Sequence, residues 1–267
     1  MLLSVRHETR YEYDDTLAYS VQRLYLTPLS FASQRVKSWM ITAPGMENAL
    51  SYKDGFGNQV HLVTFSNQSG PVTLCAEGLV ECTYAAGVVR GLASPAPEAV
   101  FLRQTRATLP SPAMLNLAER AFQSGETGLE RLHALMAEIH DKVAYVIGAT
   151  DAQTTAAEAL AEGRGVCQDH AHIFLGAARS LGIPARYVTG YLVTAEEATA
   201  SHAWAEALVP ELGWVGFDAA NGACPTDHYV RVASGIDWAG VAPVRGSRRG
   251  GAAERMTVAV RVEIAQQ

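Results

Sequence analysis

Clustered basic charge is the first thing this chain of 267 residues lacks. Its 21 Lys and Arg are outnumbered by 27 Asp and Glu, giving a net charge of −6 and a pI near 5.8. Neutralising a phosphate backbone takes a dense basic surface, so nucleic acid is excluded as a partner and an acidic polymer is not an obvious substrate. Long apolar runs are missing too. None approaches the roughly 20 residues that span a bilayer, and Met1–His7 lacks the basic start and apolar stretch of a signal peptide. The expectation is a soluble, cytoplasmic protein with no membrane partner. Cysteine is scarce: four residues, at 75, 82, 167 and 224, form no Cys-x-x-Cys pair. That argues against a structural zinc site and a dithiol redox motif, and no metal or cofactor is expected. Reduced thiols are the default in that compartment. There is no internal repeat and no low-complexity tract.

What the chain does have is apolar material, 48% of its residues, enough for one large core or, more comfortably, two domains. Residues 1–90 read as a β-rich domain. Leu3, Val5, Thr9, Tyr11 and Tyr13 share one parity, further strand-like runs cover Val36–Thr42, Val60–Phe65 and Val72–Tyr84, and Asp54-Gly55-Phe56-Gly57-Asn58 supplies turn chemistry. A small sandwich or barrel is expected there. Gly and Pro punctuate residues 91–112 as a linker would. Residues 113–267 then mix helices and strands. Leu129, Leu132, Met136, Ile139 and Val143 form one helical stripe, and Thr155-Ala156-Ala157-Glu158 has capping-box spacing for a short helix ending at Gly163. A third helix beginning near Cys167 stops at Gly182 with Pro184 just beyond, and Met256–Ile264 alternates as a C-terminal strand returning to a sheet. The fold class is therefore α+β.

Within this unit, Cys167 opens an apolar helix directly after Gly163 and Gly165. Unpaired N–H groups and the positive end of the helix dipole favour a thiolate at such a position, and the thiolate is the nucleophilic form. His202 opens an alternating run that puts His202, Trp204, Glu206 and Leu208 on one face and Ala203, Ala205 and Ala207 on the other. Asp218 closes the next apolar run, after a turn at Pro210-Glu211-Leu212-Gly213. Two adjacent antiparallel strands would bring ring and carboxylate together, fixing the tautomer and leaving the second ring nitrogen for the thiol.

The runs Gly165-Val166-Cys167-Gln168-Asp169-His170-Ala171, Leu181–Tyr191, His202-Ala203-Trp204 and Trp214–Asp218 occur in an order that resembles the bacterial transglutaminase-like superfamily, whose members are often described as cysteine proteases. Tyr11-Glu12-Tyr13, Leu24–Pro28 and Asp54–Asn58 look like the β-rich N-terminal region that accompanies such cores. The resemblance implies a β-sandwich-like N-terminal domain and a papain-like core, helices packed on an antiparallel sheet. It also implies a Cys-His-Asp triad at Cys167, His202 and Asp218. One departure is that Ala219-Ala220-Asn221 follows the aspartate where many relatives have proline and threonine. The missing cysteine pairs argue against a peptide N-glycanase-like member, and no calcium loop of the animal crosslinking enzymes is visible.

For the oxyanion, the Cys167 backbone N–H is one donor and Tyr145 the nominee for a second, since relatives are described as using an upstream side chain there. Asp169 and the other three cysteines read as structural. His170 and His172 point about 200° apart on a helix and cannot share a metal. Trp204 and Trp214 read as sheet packing, and Arg245, Arg248 and Arg249 as a solvated loop rather than a carboxylate site. The expected activity is hydrolysis of a peptide or amide bond through an acyl-thioester, on a peptide or protein substrate. Transamidation, acyl-CoA-dependent acyl transfer and a catalytically idle peptide-binding module stay open, as does the oligomeric state.

Overall fold

A computed structural model describes residues 1–194 and 198–265. Alternating apolar residues drive the first part of the chain into strands β1 (Leu2–Tyr13), β2 (Leu17–Leu24), β3 (Gln34–Thr42), β4 (Leu50–Lys53), β5 (Gln59–Gln68), β6 (Val72–Cys82) and the short β7 (Val88–Val89). Helices α1 (Pro112–Gln123) and α2 (Gly128–Lys142), strand β8 (Ala144–Tyr145), helix α3 (Ala156–Glu162), strand β9 (Arg164–Gly165) and helix α4 (Cys167–Ser180) follow. The chain finishes with β10 (Ala185–Leu192), β11 (His202–Val209), β12 (Gly213–Phe217), β13 (Tyr229–Gly235), the one-turn α5 (Trp238–Val241), β14 (Val244–Gly250) and β15 (Glu254–Ile264). No helix among the described residues is long and apolar enough to cross a membrane.

The N-terminal strands make two four-stranded sheets, ordered β15-β1-β6-β3 and β14-β2-β5-β4. A core of Leu17, Leu24, Val63, Phe65 and Leu74 lies between them, so the region is a sandwich, with one sheet face per apolar parity. In β1 the parity of Leu3 and Val5 is the buried one, and it includes His7 and Thr9. The C-terminal alternation does return to a sheet, but to this one: β15 pairs with β1 along its length, from Leu3↔Ile264 to Tyr13↔Glu254. Residues 243–251, read from their Gly and Arg content as a solvated loop, contain β14, which pairs with β2 from Val244↔Leu24 to Gly250↔Leu17. Backbone pairing overrides composition there. Arg248 lies against Glu254 and the Tyr13 ring, and Arg245 bonds the Ala239 carbonyl.

The second layer system is a five-stranded sheet ordered β13-β10-β11-β12-β7. Ala203, Ala205 and Ala207 give β11 a face of small side chains, and α4 packs against it with Ile173, Phe174 and Leu175 fully buried. Burial of each such large side chain contributes about 2–3 kcal/mol. Thr127 with Glu130 and Thr155 with Glu158 form the capping boxes that start α2 and α3, and Gly163, at φ +65°, ends α3. Residues 91–112, expected as a linker, are packed rather than loose. Phe101 is buried against Trp214, the Arg179 guanidinium donates to the Phe101 carbonyl, and a Cβ on Gly176 of α4 would sit 2.4 Å from the Thr108 carbonyl oxygen. The free edge of β13 meets the sandwich: Asn58 exchanges two 2.8 Å hydrogen bonds with the backbone of Ser234, and Gln34 does the same with the backbone of Arg231.

Candidate active site

Cys167 is positioned by a short parallel pair. β8 runs beside β9, with Tyr145 opposite Gly165, and Val146 N–H donates to the Gly165 carbonyl at 2.9 Å. Cys167 is then the first residue of α4, where backbone N–H groups have no intrahelical acceptor. Val166, the residue before it, has no side-chain acceptor, so Asp169 reaches back to the Val166 N–H at 2.8 Å and also accepts from the Thr150 hydroxyl at 2.6 Å. A Cβ on Gly165 would lie 2.7 Å from that carboxylate, which explains the glycine. Burial pushes the Asp169 carboxyl above its usual range. His170 sets both ring nitrogens 2.9 Å from carbonyl oxygens, of Val166 and of Val143, and so ties the first turn of α4 to the segment that carries Tyr145.

His202 and Asp218 meet through strand register. β11 and β12 pair antiparallel with Ala205 opposite Phe217, which sets Asp218, just past β12, opposite Trp204 and diagonal to His202 on the same face. His202 Nε2 lies 2.7 Å from Asp218 Oδ2. That oxygen also accepts from the Asn221 amide at 2.7 Å and the Tyr229 hydroxyl at 2.9 Å, while Oδ1 accepts from the Ala220 N–H at 3.1 Å and the Asn221 N–H at 3.4 Å. The Ala219-Ala220-Asn221 departure therefore still closes a tight turn, bridged between Asp218 and Ala223. Asn221 and Tyr229 escaped the sequence reading. An Asx-type turn after Asp218 was a usable signal for Asn221, whereas Tyr229 comes from another strand and leaves no local trace.

Electrostatically the group is coupled. Burial pulls the His202 imidazolium down, but its hydrogen bonds to Asp218 and to Cys167 outweigh this and raise its pKa to about 10. Burial likewise opposes the Asp218 charge, and the bonds from His202, Asn221 and Tyr229 win, holding it below the usual carboxylate value. Since Nε2 is taken by Asp218, Nδ1 is the nitrogen left for the sulfur. Tyr145 lines the same cleft as Cys167; burial first, then the neighbouring Cys167, raises its pKa to about 12, so it stays protonated and able to donate. The four residues singled out by sequence thus converge.

They open into a cleft of about 290 Å³ bounded by Tyr145, Ile147, Tyr191, Ala198 and Val260, with Cys167 and His202 at its wall. Cys75, Cys82 and Cys224 are free thiols outside that lining, and burial raises the pKa of each. Trp204 packs the sheet and also stacks on His202, at 6.2 Å between ring centroids. Trp214 lies against Arg186, on the far face from α4. Among the described residues no group of three or more His, Cys, Asp or Glu side chains is placed to hold a metal ion.

Comparison with known proteins finds relatives of this chain in sequence and in fold. A protein of Mycobacterium leprae, "Uncharacterized protein ML0607", is 28% identical over 97% of this chain and 98% of its own length. "Uncharacterized protein Rv2569c" of Mycobacterium tuberculosis is 28% identical over 91% of this chain and 86% of its own. Among solved structures, a "putative cysteine protease from Cytophaga hutchinsonii" superposes with a TM-score of 0.78 at 22% identity, covering 98% of this chain and 90% of that one, which establishes the shared α+β fold. Residues 115–219 match the profile of the transglutaminase-like superfamily, and residues 3–81 match that of the bacterial transglutaminase-like N-terminal region. On this one chain, then, a region that matches the bacterial transglutaminase-like N-terminal region precedes a core that matches the transglutaminase-like superfamily.

Proposed function

We propose that the protein hydrolyses a peptide or amide bond through an acyl-thioester on Cys167. The observation that carries this is His202, fixed at 2.7 Å to a fully buried Asp218 by one nitrogen and sharing a cleft wall with Cys167. The Cys167 sulfur attacks the carbonyl carbon, and its proton resides on His202. The developing oxyanion is met by the Cys167 N–H and the Tyr145 hydroxyl. His202 then gives its proton to the departing amine as the C–N bond breaks, leaving the acyl group on sulfur. Water, deprotonated by His202, adds to the thioester, and cleavage of the C–S bond releases the acid and restores the thiol. Asp218 keeps the ring oriented and supports its positive charge throughout. The match to the transglutaminase-like superfamily model supports cysteine-based chemistry in general, and hydrolysis is the finer reading.

Intact-mass spectrometry after brief exposure to a library of peptides and amides tests it. A covalent acyl mass at Cys167 that disappears as free acid accumulates is the expected result. Equal product formation by wild type and Cys167→Ala would sink the mechanism, and an acyl group passed to added amine in preference to water would move the assignment to transamidation.

A further inference from the structure

One cross-strand pair of the sandwich touches the other layer system twice. His7 of β1 stands opposite Val260 of β15, and both are buried. Val260 turns its backbone outward from this edge strand and exchanges hydrogen bonds of 2.8 and 2.7 Å with Ala198, on the segment that enters β11 at His202. The His7 ring reaches the other flank. Its Nδ1 lies 3.0 Å from the hydroxyl of Tyr191, at the end of β10, and its Nε2 lies 3.1 Å from the Thr9 hydroxyl. Trp39 of β3 stacks on the same tyrosine ring, and Tyr191 lines the cleft together with Cys167 and His202. Burial lowers the His7 pKa to about 4, so the neutral ring has one donor and one acceptor for its two partners.

These anchors fall where the sheet itself specifies position least. Gly190 pairs with His202 across β10 and β11, but on its other side the pairing of β10 with β13 slips between Thr189 and Gly190. Such an irregularity re-aims the strand beyond it, so the ladder alone does not set the direction in which Tyr191 leaves the sheet. Tolerance there is small. A Cβ on Gly190 would sit 2.6 Å from the Trp204 ring, which stacks on His202. An aliphatic side chain at position 7 would continue the apolar parity of Leu3 and Val5 and would need no partner. An imidazole bonded at both nitrogens instead fixes distance and direction.

We infer that His7 is a positioning residue, through which the N-terminal sandwich holds Tyr191 and keeps His202 in the arrangement that activates Cys167, a role that rests on the thiol chemistry proposed above. Without the bond from His7 the Tyr191 ring is free to shift and the end of β10 moves with it. Gly190 is paired with His202, so the imidazole follows. The sulfur then loses its proton acceptor for part of the time, and the thiolate population at neutral pH falls.

Iodoacetamide alkylation of the full chain, followed cysteine by cysteine by peptide mass mapping across pH, tests this without needing a substrate. The Cys167 sulfur forms a bond to the methylene carbon as the C–I bond breaks and iodide leaves. In wild type, a thiol paired with His202 should label quickly at about pH 6, well below the ordinary thiol pKa of about 8.5. His7→Leu and Tyr191→Phe should each slow that labelling about threefold to tenfold, the weight of one hydrogen bond, and move the profile upward in pH. The titratable groups around Cys167, namely His202, Asp218, Tyr145 and Tyr187, are the same in every variant, so a moved profile reports their placement. His7→Asn, whose amide stands where Nδ1 stood, should label at the wild-type rate. The double variant should be no slower than the slower single one, since both changes remove the same bond. Buried Cys82 is the internal control: a merely structural loss exposes it and labels it alongside Cys167, whereas lost positioning is confined to Cys167. Tyr191→Phe removes one oxygen and decides the matter even where His7→Leu fails to fold. An unchanged profile in Tyr191→Phe, a His7→Asn variant as slow as His7→Leu, additive slowing in the double variant, or parallel labelling of Cys82 overturns the positioning role while fast wild-type labelling leaves the catalytic reading standing. If wild-type Cys167 labels no faster than an ordinary thiol, the catalytic reading fails and takes the positioning role with it.

Discussion

Strand β11 carries two ionic clusters on one face, four residues apart, and they serve opposite ends. Around Glu206 the network is closed. Arg231 donates to its two oxygens at 2.8 and 3.2 Å and Arg186 at 2.6 Å, the carboxylate side chain is 1% exposed, and the Arg186 guanidinium lies 4.1 Å from the Trp214 ring centroid. Around His202 the network is open. One ring nitrogen is spent on Asp218, the other faces a sulfur at a cleft, and the side chain is 12% exposed. Both clusters keep their charge at neutral pH: the two arginines outweigh burial to hold Glu206 at about 2, and Asp218 and Cys167 hold His202 at about 10. What separates the two clusters is an uncommitted ring nitrogen at the wall of a cleft, rather than charge state.

The comparison breaks most visibly at the open cluster. His202→Ala and Cys167→Ala should each lower acyl-enzyme formation by at least about 10⁴-fold, because neither half of the pair acts alone. Chemical denaturation should show wild-type stability to within about 1 kcal/mol for Cys167→Ala, whereas His202→Ala removes the partner of the buried Asp218 carboxylate and should be the less stable of the two. The pH dependence sharpens the point. Cys167 contributes to the raised pKa of His202, so alkylating the sulfur to a neutral thioether should lower the ring's proton affinity, read by NMR titration. In the unalkylated enzyme, amine-releasing turnover should hold across neutral pH and fall as His202 loses its proton near pH 10.

At the closed cluster the expected damage is to stability. Glu206→Gln leaves two buried guanidinium groups facing an amide that cannot neutralise them, a loss of about 3–5 kcal/mol. Differential scanning calorimetry should show a melting temperature lower by roughly 10 °C, while the molecules that remain folded alkylate at Cys167 as wild type does. The sign of the pH effect follows from the direction of the shift. A carboxyl held at about 2 in the fold and 4.5 when unfolded contributes stability that is complete above pH 4.5 and lost as pH falls toward 2. The gap between wild type and Glu206→Gln should therefore close over that window and stay constant above it.

The open cluster was legible in the sequence and the closed one was not, for a physical reason. Cys167, His202 and Asp218 sit at element boundaries, a helix start, a strand start and a strand end, where Gly163, Gly165 and a turn leave local marks. Glu206 shows only as a polar residue inside an alternating strand, and its partners Arg186 and Arg231 lie on two other strands whose register no single segment encodes. The same limit explains the C-terminal strands. The alternation of Met256–Ile264 specified a strand, but its pairing with β1, across some 250 residues, depends on matching apolar faces that only the assembled sandwich displays. Residues 91–112 read as a linker because Gly91, Pro95, Pro97, Pro110 and Pro112 punctuate them, while the contacts of Phe101 and Thr108 that bind them to α4 come from single residues without periodicity.

Tyr145 tests how far the open cluster extends. It lines the cleft beside Cys167, and removing one donor from an oxyanion site costs about 10²–10³ in the chemical step. Tyr145→Phe should lower the rate of acylation by about 10² with little change in KM. The same variant should alkylate with iodoacetamide at near the wild-type rate, since that displacement develops no oxyanion. A parallel loss in both reactions would assign the hydroxyl to the sulfur rather than to the transition state.

The smallest expected effect probes the rim, where the open cluster borrows closure from its surroundings. Tyr229 donates at 2.9 Å to the same Asp218 oxygen that holds His202, alongside Asn221, so the carboxylate remains well hydrogen-bonded when one donor is removed. Tyr229→Phe should therefore slow acylation by no more than about tenfold, the worth of one hydrogen bond to a charged group. It should also raise the Asp218 carboxyl, because the Tyr229 bond is among those that hold it low, and so move the acid limb of the rate profile upward. A merely structural tyrosine would shift stability and leave that limb in place. Tyr229 is the point where the two clusters meet: its neighbour two residues along β13 is Arg231 of the closed network, so an upward shift of the acid limb with an unchanged melting temperature would show that the closed cluster holds its shape independently of the reactive one.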